Sequence, residues 1–190
     1  MDTRASLPRF LAAIVIATLG CGAAAVAQRP TLAPFVPTPQ DVVDRMLKLA
    51  NVTKDDVVYD LGSGDGRIVI TAARTYGARG VGIDIDRERI RESRANARRA
   101  GVEHLVQFKQ ADILQADVSP ATVVTLYLVS SANLKLRPML TKQLRPGSRI
   151  VSHAFGMGDW PPVQTDRFKD SQGDDRVIYL WLTDGGTGVQ

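Results

Sequence analysis

Three carboxylates stand where predicted strands end, and they are the residues of this chain best placed to do chemistry. Asp60, Asp84 and Asp112 each follow a short run rich in β-branched, aromatic or apolar residues. Between the first carboxylate and the next helical pattern lies a turn, residues 62–66, with three glycines at alternate positions. Because such a turn has almost no side-chain bulk, a ligand can lie directly against its backbone N–H groups. The sequence therefore predicts a ligand site built on this glycine turn.

Helical and strand patterns, which must position these acids, alternate along the chain. Strands are predicted at residues 57–61, 80–84, 106–110, 122–128 and 149–155, and helices at residues 39–50, 67–77, 86–100 and 133–144. Thr38 is expected as the N-cap of the first helix, with Pro39 at its first helical position. Two further strand patterns, at residues 163–168 and 176–183, predict an antiparallel hairpin. The fold class is therefore α/β: a doubly wound, mostly parallel seven-stranded sheet with helices on both faces and a C-terminal antiparallel hairpin.

The composition is that of a single globular domain. Of 190 residues, 44% are hydrophobic and 23% are charged, as is ordinary for a folded protein. The net charge is +4, but no basic run is interleaved with aromatic residues, so we expect no nucleic-acid partner. The single cysteine, Cys21, precedes the predicted fold. We therefore expect neither a disulfide nor a metal site.

The amino-terminal residues have the pattern of a targeting signal. Two arginines precede an apolar run at residues 10–19, and an A-x-A cleavage site follows at residues 25–27. We predict a signal peptide over residues 1–27 that exports the rest of the chain to the periplasm or envelope. Two alternatives stay open: a lipoprotein site at Cys21, and an uncleaved anchor over residues 10–27.

The remaining boundaries follow from proline content and periodicity. Residues 28–37 are proline-rich and are predicted to be a linker that becomes a covering segment. The folded domain is predicted to span residues 38–184, and residues 185–190 are expected to be a frayed tail. The sequence has no internal repeat and predicts no second domain.

The three carboxylates have distinct uses if the ligand is a nucleoside. In an open parallel sheet, ligands bind outside the carboxyl ends of the strands, beside the first strand. Asp84, at the end of the second strand, is placed to accept hydrogen bonds from both ribose hydroxyls. Asp112, one strand further out, can accept from an adenine amino group, with Ile85 and Ile113 on the two faces of the ring. Asp60 and the glycine-turn backbone then face the group on the 5′ carbon.

The glycine turn favours S-adenosylmethionine over a dinucleotide. Counted from Gly62, the sixth position of a G-x-G-x-x-G fingerprint is Arg67, where dinucleotide sites have glycine or alanine. Asp60 and Asp65 would also repel a pyrophosphate, whereas they suit the ammonium and sulfonium groups of S-adenosylmethionine. Two alternatives stay open: a nicotinamide or flavin nucleotide, and carboxylates that only cap the helices that follow them.

Three stretches, at residues 60–66, 82–84 and 111–113, resemble the class I S-adenosylmethionine-dependent methyltransferases. More narrowly, Pro-Phe-Val-Pro-Thr-Pro at residues 34–39, ahead of the glycine turn, resembles small protein-lysine methyltransferases, namely the ATP synthase c-subunit enzymes and their compact archaeal relatives. The resemblance implies a small enzyme without a separate substrate domain, in which Phe35 to Thr38 close over the methionine end of the cofactor. The predicted cofactor-binding residues are Phe35, Thr38, Asp60, Gly62, Ser63, Gly64, Asp65, Gly66, Asp84, Ile85, Asp112 and Ile113.

The methyl acceptor is expected at the ends of the fourth and fifth strands. Methyl transfer is an in-line displacement that needs an aligned, neutral acceptor and the exclusion of water. A lysine acceptor would need its pKa lowered by desolvation, or a route for its proton. Tyr127 and His153 are the candidate catalytic residues, each with a purely structural alternative. Further candidates at these strand ends are Ser130, Ser131, Asn133 and Phe155, and Trp160 is expected either to rim the pocket or to close the core.

We expect methyl transfer to a protein lysine by a monomer. The end of the fourth strand lacks the Asp/Asn-Pro-Pro-Tyr motif of many enzymes that methylate bases or glutamine. A small-molecule N- or O-methyltransferase is the alternative within the class. A non-catalytic adenosyl-binding or structural envelope domain is the alternative outside it, since an export signal conflicts with a cofactor made in the cytoplasm.

Overall fold

The computed structural model describes Leu32 and residues 35–184. The predicted signal peptide, residues 1–27, and the predicted tail, residues 185–190, lie outside the described residues, as does most of the linker that precedes Phe35. Those interpretations stay predictions. No helix in the described part of the chain is long and apolar enough to cross a membrane.

Helices and strands alternate as the sequence patterns predict. The elements are α1 (Gln40–Leu49), β1 (Val57–Leu61), α2 (Arg67–Tyr76), β2 (Arg79–Asp84), α3 (Arg87–Arg99), β3 (Val106–Gln110), a 3₁₀ turn (Ile113–Gln115), β4 (Val123–Leu126), α4 (Ser130–Gln143), β5 (Arg149–His153), β6 (Gln164–Lys169) and β7 (Asp175–Leu182). One seven-stranded sheet has the order β3-β2-β1-β4-β5-β7-β6. The strands β1 to β5 pair in parallel, and β7 is antiparallel to both β5 and β6. The predicted fold class is confirmed.

The strand order sets where a ligand can bind. Strands β2 and β3 lie on one side of β1, and β4 and β5 lie on the other. The connections therefore diverge at the carboxyl end of β1, which opens a crevice beside that strand end.

The core has two layers, one on each face of the sheet. Helices α1, α2 and α3 bury their apolar stripes on one face, while α4 and the 3₁₀ turn pack on the other. Helix α2 packs closely against β2. The distance shows this, since a Cβ atom added at Gly80 would stand only 2.7 Å from the Cβ of Val69. This close contact fixes the start of α2, and with it the glycine turn, relative to β2.

The predicted N-cap of the first helix is wrong. Helix α1 begins at Gln40, its N-cap is Pro39, and no side chain caps it. Thr38 is instead buried, and its carbonyl oxygen accepts a hydrogen bond from Arg67 Nη1 at 2.8 Å. Thr38 is thus held by a tertiary contact with Arg67 and does not cap the helix, although local capping preference would predict that it does.

The fourth strand is shorter than predicted, and the helix after it begins earlier. The last residue pair between β1 and β4 is Leu61 with Leu126, although the apolar run continues to Leu128. Helix α4 begins at Ser130 and runs through Pro138. An apolar run shows that a segment is buried, but it does not show where strand pairing ends.

Candidate active site

The glycine turn between β1 and α2 forms the floor of the site. The backbone N–H groups of Gly62 and Ser63 donate to the carbonyl of Ile83 at 2.8 and 3.0 Å, which ties the turn to β2. Gly64 has a φ of 51°, and a Cβ atom there would overlap the ring of Phe35. Position 64 therefore needs glycine both for its backbone conformation and for the packing of the covering segment.

A cavity of about 390 Å³ lies at the carboxyl ends of β1, β2 and β4. All but one of the predicted cofactor-binding residues line it: Phe35, Thr38, Asp60, Gly62, Ser63, Gly64, Asp65, Asp84, Ile85, Asp112 and Ile113. It is also lined by Val36 and Pro37 of the predicted covering segment and by the candidate catalytic residue Tyr127. The lining residues that were not predicted are Leu32, Arg67, Ile68, Asp86, Arg89, Leu114 and Leu128. Among the described residues, no group of three or more His, Cys, Asp or Glu side chains is arranged to hold a metal ion.

Gly66 is the predicted cofactor residue that does not line the cavity. It is the N-cap of α2, with a φ of 82°. A Cβ atom there would stand 2.6 Å from ring atoms of Phe108 and 2.9 Å from the Cβ of Ser93. The structure thus places Gly66 at the packing contact between α2, α3 and β3, behind the surface that faces a ligand.

Asp60 presents a buried carboxylate to the cavity. It is 3% exposed and accepts a hydrogen bond from Thr125 Oγ1 at 2.8 Å. Burial raises the pKa of Asp60 to about 7, with smaller contributions in the same direction from the carboxylates of Asp84 and Asp65. No ion pair in the described part of the chain involves Asp60. A cationic ligand group would supply the missing counter-charge.

Asp84 is held in a fixed orientation at the end of β2. Its Oδ2 accepts from the N–H of Gly64 at 2.8 Å, and its Oδ1 accepts from the N–H of Asp86 at 2.9 Å. Each oxygen keeps a second lone pair that can accept a hydroxyl hydrogen. One strand further out, Asp112 Oδ1 accepts from the N–H of Leu114 at 3.0 Å. The two carboxylates therefore stand along the cavity in the order that ribose and adenine require.

Asp65 and Arg67 form an ion pair at 2.6 Å, and both line the cavity. The same guanidinium donates to the Thr38 carbonyl, so it ties the covering segment to the start of α2. Because Arg67 balances the charge of Asp65, the electrostatic argument against a pyrophosphate rests on Asp60. In the sequence, Arg67 was only a departure from a fingerprint, and its partner 29 residues away was not apparent.

Phe35 packs over the glycine turn. Its ring lies against Gly64 on one side, and the guanidinium carbon of Arg89 stands 4.6 Å from the ring centroid. Phe35 is 49% exposed. Its position agrees with the covering role implied by the resemblance, and Arg89 is the contact that the sequence did not reveal.

Tyr127 and His153 lie together at the other end of the cavity, but only Tyr127 lines it. Their ring centroids are 4.0 Å apart. His153 is 1% exposed, and burial, assisted by the nearby charge of Arg176, lowers the pKa of His153 to about 4. The imidazole is therefore neutral near pH 7 and stands behind Tyr127. Its predicted catalytic role would have to act through that ring.

The other acceptor-side candidates are dispersed around this ring pair. Ser130 and Ser131 are exposed in the first turn of α4, whereas Asn133 is fully buried. Phe155 is half-buried, with its ring centroid 6.4 Å from that of Tyr127. Trp160 packs on the core, and its carbonyl accepts from Trp181 Nε1 at 2.9 Å. It does not line the cavity.

A family model described as the ANTKMT methyltransferase domain matches residues 60–164. The chain belongs to this methyltransferase family. The match begins at Asp60 and extends past Phe155, so it spans both ends of the cavity. The predicted resemblance to methyltransferases is thereby confirmed.

Several relatives of this methyltransferase carry more specific names. This chain is 44% identical over 150 residues to a protein-lysine N-methyltransferase of Saccharolobus islandicus (strain REY15A), and the match covers 78% of this chain and 92% of that protein. It is 32% identical over 138 residues to the ATP synthase c-subunit lysine N-methyltransferase of Xenopus laevis, covering 73% of this chain and 60% of that protein. The chain thus spans less than two thirds of the frog enzyme. A crystal structure of an RNA methyltransferase from Salinibacter ruber, in complex with S-adenosyl-L-homocysteine, has a TM-score of 0.75 and 55% identity, covering 82% of this chain and 97% of that one.

The protein is an S-adenosylmethionine-dependent methyltransferase, and its cavity fits that cofactor. Asp84, Ile85, Asp112 and Ile113 line the part of the cavity that is predicted to hold the ribose and the adenine. The buried carboxylate of Asp60 lacks a cationic partner in the described structure, and the glycine turn leaves backbone exposed beside it. A dinucleotide would instead bring phosphates to this carboxylate. Which residues touch the bound cofactor stays a prediction.

Proposed function

We propose that this enzyme transfers the methyl group of S-adenosylmethionine to the side-chain amine of a lysine in a protein. The observation that carries the proposal is the 44% identity to an archaeal protein-lysine N-methyltransferase, which extends over 92% of that protein. The aromatic character of the acceptor end supports it, because Tyr127 and Phe155 offer apolar walls to an aliphatic side chain.

The bound cofactor would supply an electrophilic methyl group on its sulfonium sulfur. The residues of this chain hold and shield the reactants: Asp60 and the glycine turn hold the methionine end, and Asp84 orients the ribose. Phe35, fixed by Gly64 and Arg89, covers the site and excludes water. At the acceptor end, the ring of Tyr127 would desolvate a lysine ammonium and lower its pKa, which favours the neutral amine that the reaction needs.

Isotope labelling tests this proposal. The purified full chain is incubated with tritiated S-adenosylmethionine and a cell extract, and the protein fraction is hydrolysed in acid and separated by amino-acid analysis. We expect label in methylated lysine and none in a parallel reaction with the Asp84→Asn variant. Label found only in small molecules would contradict the proposal and would favour the small-molecule alternative.

Methyl transfer to RNA is the second candidate function. It is favoured by the name of the Salinibacter ruber relative, which is 55% identical over 82% of this chain. Helix α3 adds a basic surface, with six arginines and two glutamates among its 13 residues. The same labelling reaction, supplied with total RNA and treated with protease, separates the two candidates. Label retained in nucleotides after protein removal would overturn the lysine proposal.

The cellular location is a separate proposal, which rests on the amino-terminal sequence. The pattern of residues 1–27 supports export or membrane attachment. Fractionation of cells, followed by mass spectrometry of the mature amino terminus, tests it. We expect a terminus at Gln28 in the envelope or periplasmic fraction. An intact chain in the cytoplasmic fraction would refute export and would place the enzyme where the cofactor is made.

A further inference from the structure

A strained turn lies at the carboxyl end of β5, next to the acceptor end of the cavity. Ala154 has a φ of 65°, and the N–H of Phe155 donates to the carbonyl of His153 at 2.8 Å. A three-residue turn with this hydrogen bond and a positive central φ is the rare form of the γ-turn. In the described part of the chain, the only other non-glycine residue with positive φ is Asn51, a residue type that tolerates it. Alanine has no such tolerance.

Buried side chains hold this turn in place. Asn133, in the first turn of α4, donates through Nδ2 to the carbonyls of Phe155 at 3.0 Å and Gly156 at 3.3 Å. Ser152 Oγ donates to the same Phe155 carbonyl at 2.7 Å. Both Asn133 and Ser152 are completely buried. A strained backbone conformation persists only where its surroundings over-determine it, and such conformations cluster at active sites and ligand clamps.

The turn brings two rings against Tyr127. In an extended strand, alternate residues lie on one face but about 6.6 Å apart along the chain. The γ-turn bends the chain after His153, so that His153 stacks on Tyr127 at 4.0 Å and Phe155 stands at 6.4 Å, each tilted by 30° or less. His153 is buried behind Tyr127, whereas Phe155 is half-buried beside it. Phe155 does not line the cavity itself, but of the two rings beside Tyr127 it is the more exposed one, next to the cavity end that Tyr127 lines.

We propose that Phe155, held by the strained turn at Ala154, is a positioning residue for the methyl acceptor. Its ring and that of Tyr127 form an apolar wall along which the methylene chain of the acceptor lies, so that the amine is delivered to the cavity end lined by Tyr127. This inference rests on the proposed lysine function. A phenylalanine that only packed in the core would not need a strained turn, because a relaxed loop with glycine at position 154 could hold its ring there.

Kinetics and binding of four full-length variants test the inference. Phe155→Leu removes the ring, Phe155→Tyr restores an aromatic ring, and Ala154→Gly frees the turn. Phe168→Leu is the matched control, because Phe168 lies on β6, against Arg45 of α1. The measurements are the KM for the acceptor protein found by labelling, kcat, the dissociation constant for S-adenosylhomocysteine by calorimetry, and thermal unfolding.

We expect Phe155→Leu to raise the acceptor KM on the order of tenfold, the effect of one lost apolar contact, and to leave the S-adenosylhomocysteine dissociation constant within about twofold. Phe155→Tyr should restore the KM. Ala154→Gly should raise the KM about threefold without lowering thermal stability, because glycine adopts the positive φ without strain. A merely structural Phe155 would instead give parallel losses in stability and cofactor affinity, with no rescue by tyrosine, and this result would overturn the inference.

A direct binding measurement separates the inference from the proposed function. Saturation-transfer NMR on the enzyme loaded with S-adenosylhomocysteine uses Nα-acetyl-lysine methylamide as the probe. We expect transfer to its side-chain methylenes with the wild type and Phe168→Leu, and loss of that transfer with Phe155→Leu. If the wild type labels no protein lysine, the proposed function fails and this inference fails with it. If it labels lysine but Phe155→Leu changes neither KM nor the NMR signal, the inference alone fails.

Discussion

Carboxylates line the cofactor end of the cavity, whereas the aromatic ring of Tyr127 lines the acceptor end. The cofactor end is polar and rigid, because the Asp84 carboxylate accepts hydrogen bonds from two backbone N–H groups and backbone hydrogen bonds tie the glycine turn to β2. The acceptor end stacks Tyr127 on a neutral histidine. The cofactor end can hold a cation of fixed shape, while the acceptor end would desolvate the ammonium of the proposed lysine acceptor, which must lose its proton. The two ends should therefore respond differently to substitution and to pH.

The largest effect is expected at Gly66, because rigidity of the cofactor end begins there. In Gly66→Ala the new Cβ would meet the buried ring of Phe108 at 2.6 Å, at a φ of 82°. We expect a loss of about 3 kcal/mol in the free energy of unfolding, combining overpacking with backbone strain. Gly101→Ala is the matched control, since its φ is 71° but nothing lies within 4 Å of the added atom. It should cost about 1 kcal/mol. Equal costs in urea denaturation would show that the packing contact is unimportant.

Loss of the charge on Asp84 should weaken cofactor binding strongly. Both carboxylate oxygens accept from backbone N–H groups, so in Asp84→Asn one of those N–H groups faces an amide donor. Hydrogen bonds to a charged group contribute about 1.5–3 kcal/mol, so we expect S-adenosylhomocysteine affinity to fall roughly 100-fold in calorimetry. Asp117→Asn, at a carboxylate outside the cavity, should leave affinity unchanged. Binding of Asp84→Asn within threefold of the wild type would remove Asp84 from the site.

The charge on Asp60 should make cofactor binding depend on pH. Its pKa of about 7 means that the carboxyl group is largely protonated below that pH in the free enzyme. A cationic ligand binds the carboxylate, so affinity for S-adenosylmethionine should rise by up to tenfold per unit as pH increases from about 5.5 to 7. Asp60→Asn should abolish this dependence. Calorimetry in buffers of different ionisation enthalpy should also detect proton release on binding by the wild type.

The same pKa shift has the opposite consequence for the ligand-free protein. The pKa of Asp60 is about 4 in an unfolded chain and higher in the fold, so the folded state binds more protons between these values. Stability of the free enzyme should therefore decrease as pH rises from about 4 through 7. Added cofactor should reduce this decrease, because its cation stabilises the carboxylate. A cofactor-independent pH profile would argue against a cation beside Asp60.

The cofactor end was largely predictable because its determinants are local. A carboxylate at a strand end and glycines at alternate positions are read directly from neighbours in the chain, and Asp60, Gly64 and Asp84 all line the cavity. Gly66 shows where prediction of the site from local sequence fails. Its place in the pattern resembles that of Gly64, but only the packing of Phe108 shows which of the two lines the cavity.

The acceptor end was not predictable in the same way, because its determinants are distant in sequence. The stacking of Tyr127 on His153 depends on pairing between β4 and β5 and on a turn that Asn133 holds from another element. The residue type at position 154, alanine, does not predict a positive φ. Likewise, the contact of Arg67 with Thr38 spans 29 residues and overrode the helix-capping pattern.

The smallest effect is expected from the hydroxyl of Tyr127, and it provides the sharpest test of the contrast between the two ends. In the described structure this hydroxyl makes no hydrogen bond, while its ring stacks on His153 at 4.0 Å. If the ring is what acts, Tyr127→Phe should lower kcat/KM for the acceptor by less than about threefold, which corresponds to about 0.6 kcal/mol. Tyr127→Leu, which removes the stack, should lower it at least tenfold. A 100-fold loss of kcat in Tyr127→Phe, with KM unchanged, would mean that the hydroxyl handles the acceptor proton. The acceptor end would then work by a positioned polar group, as the cofactor end does, and the distinction between them would fail.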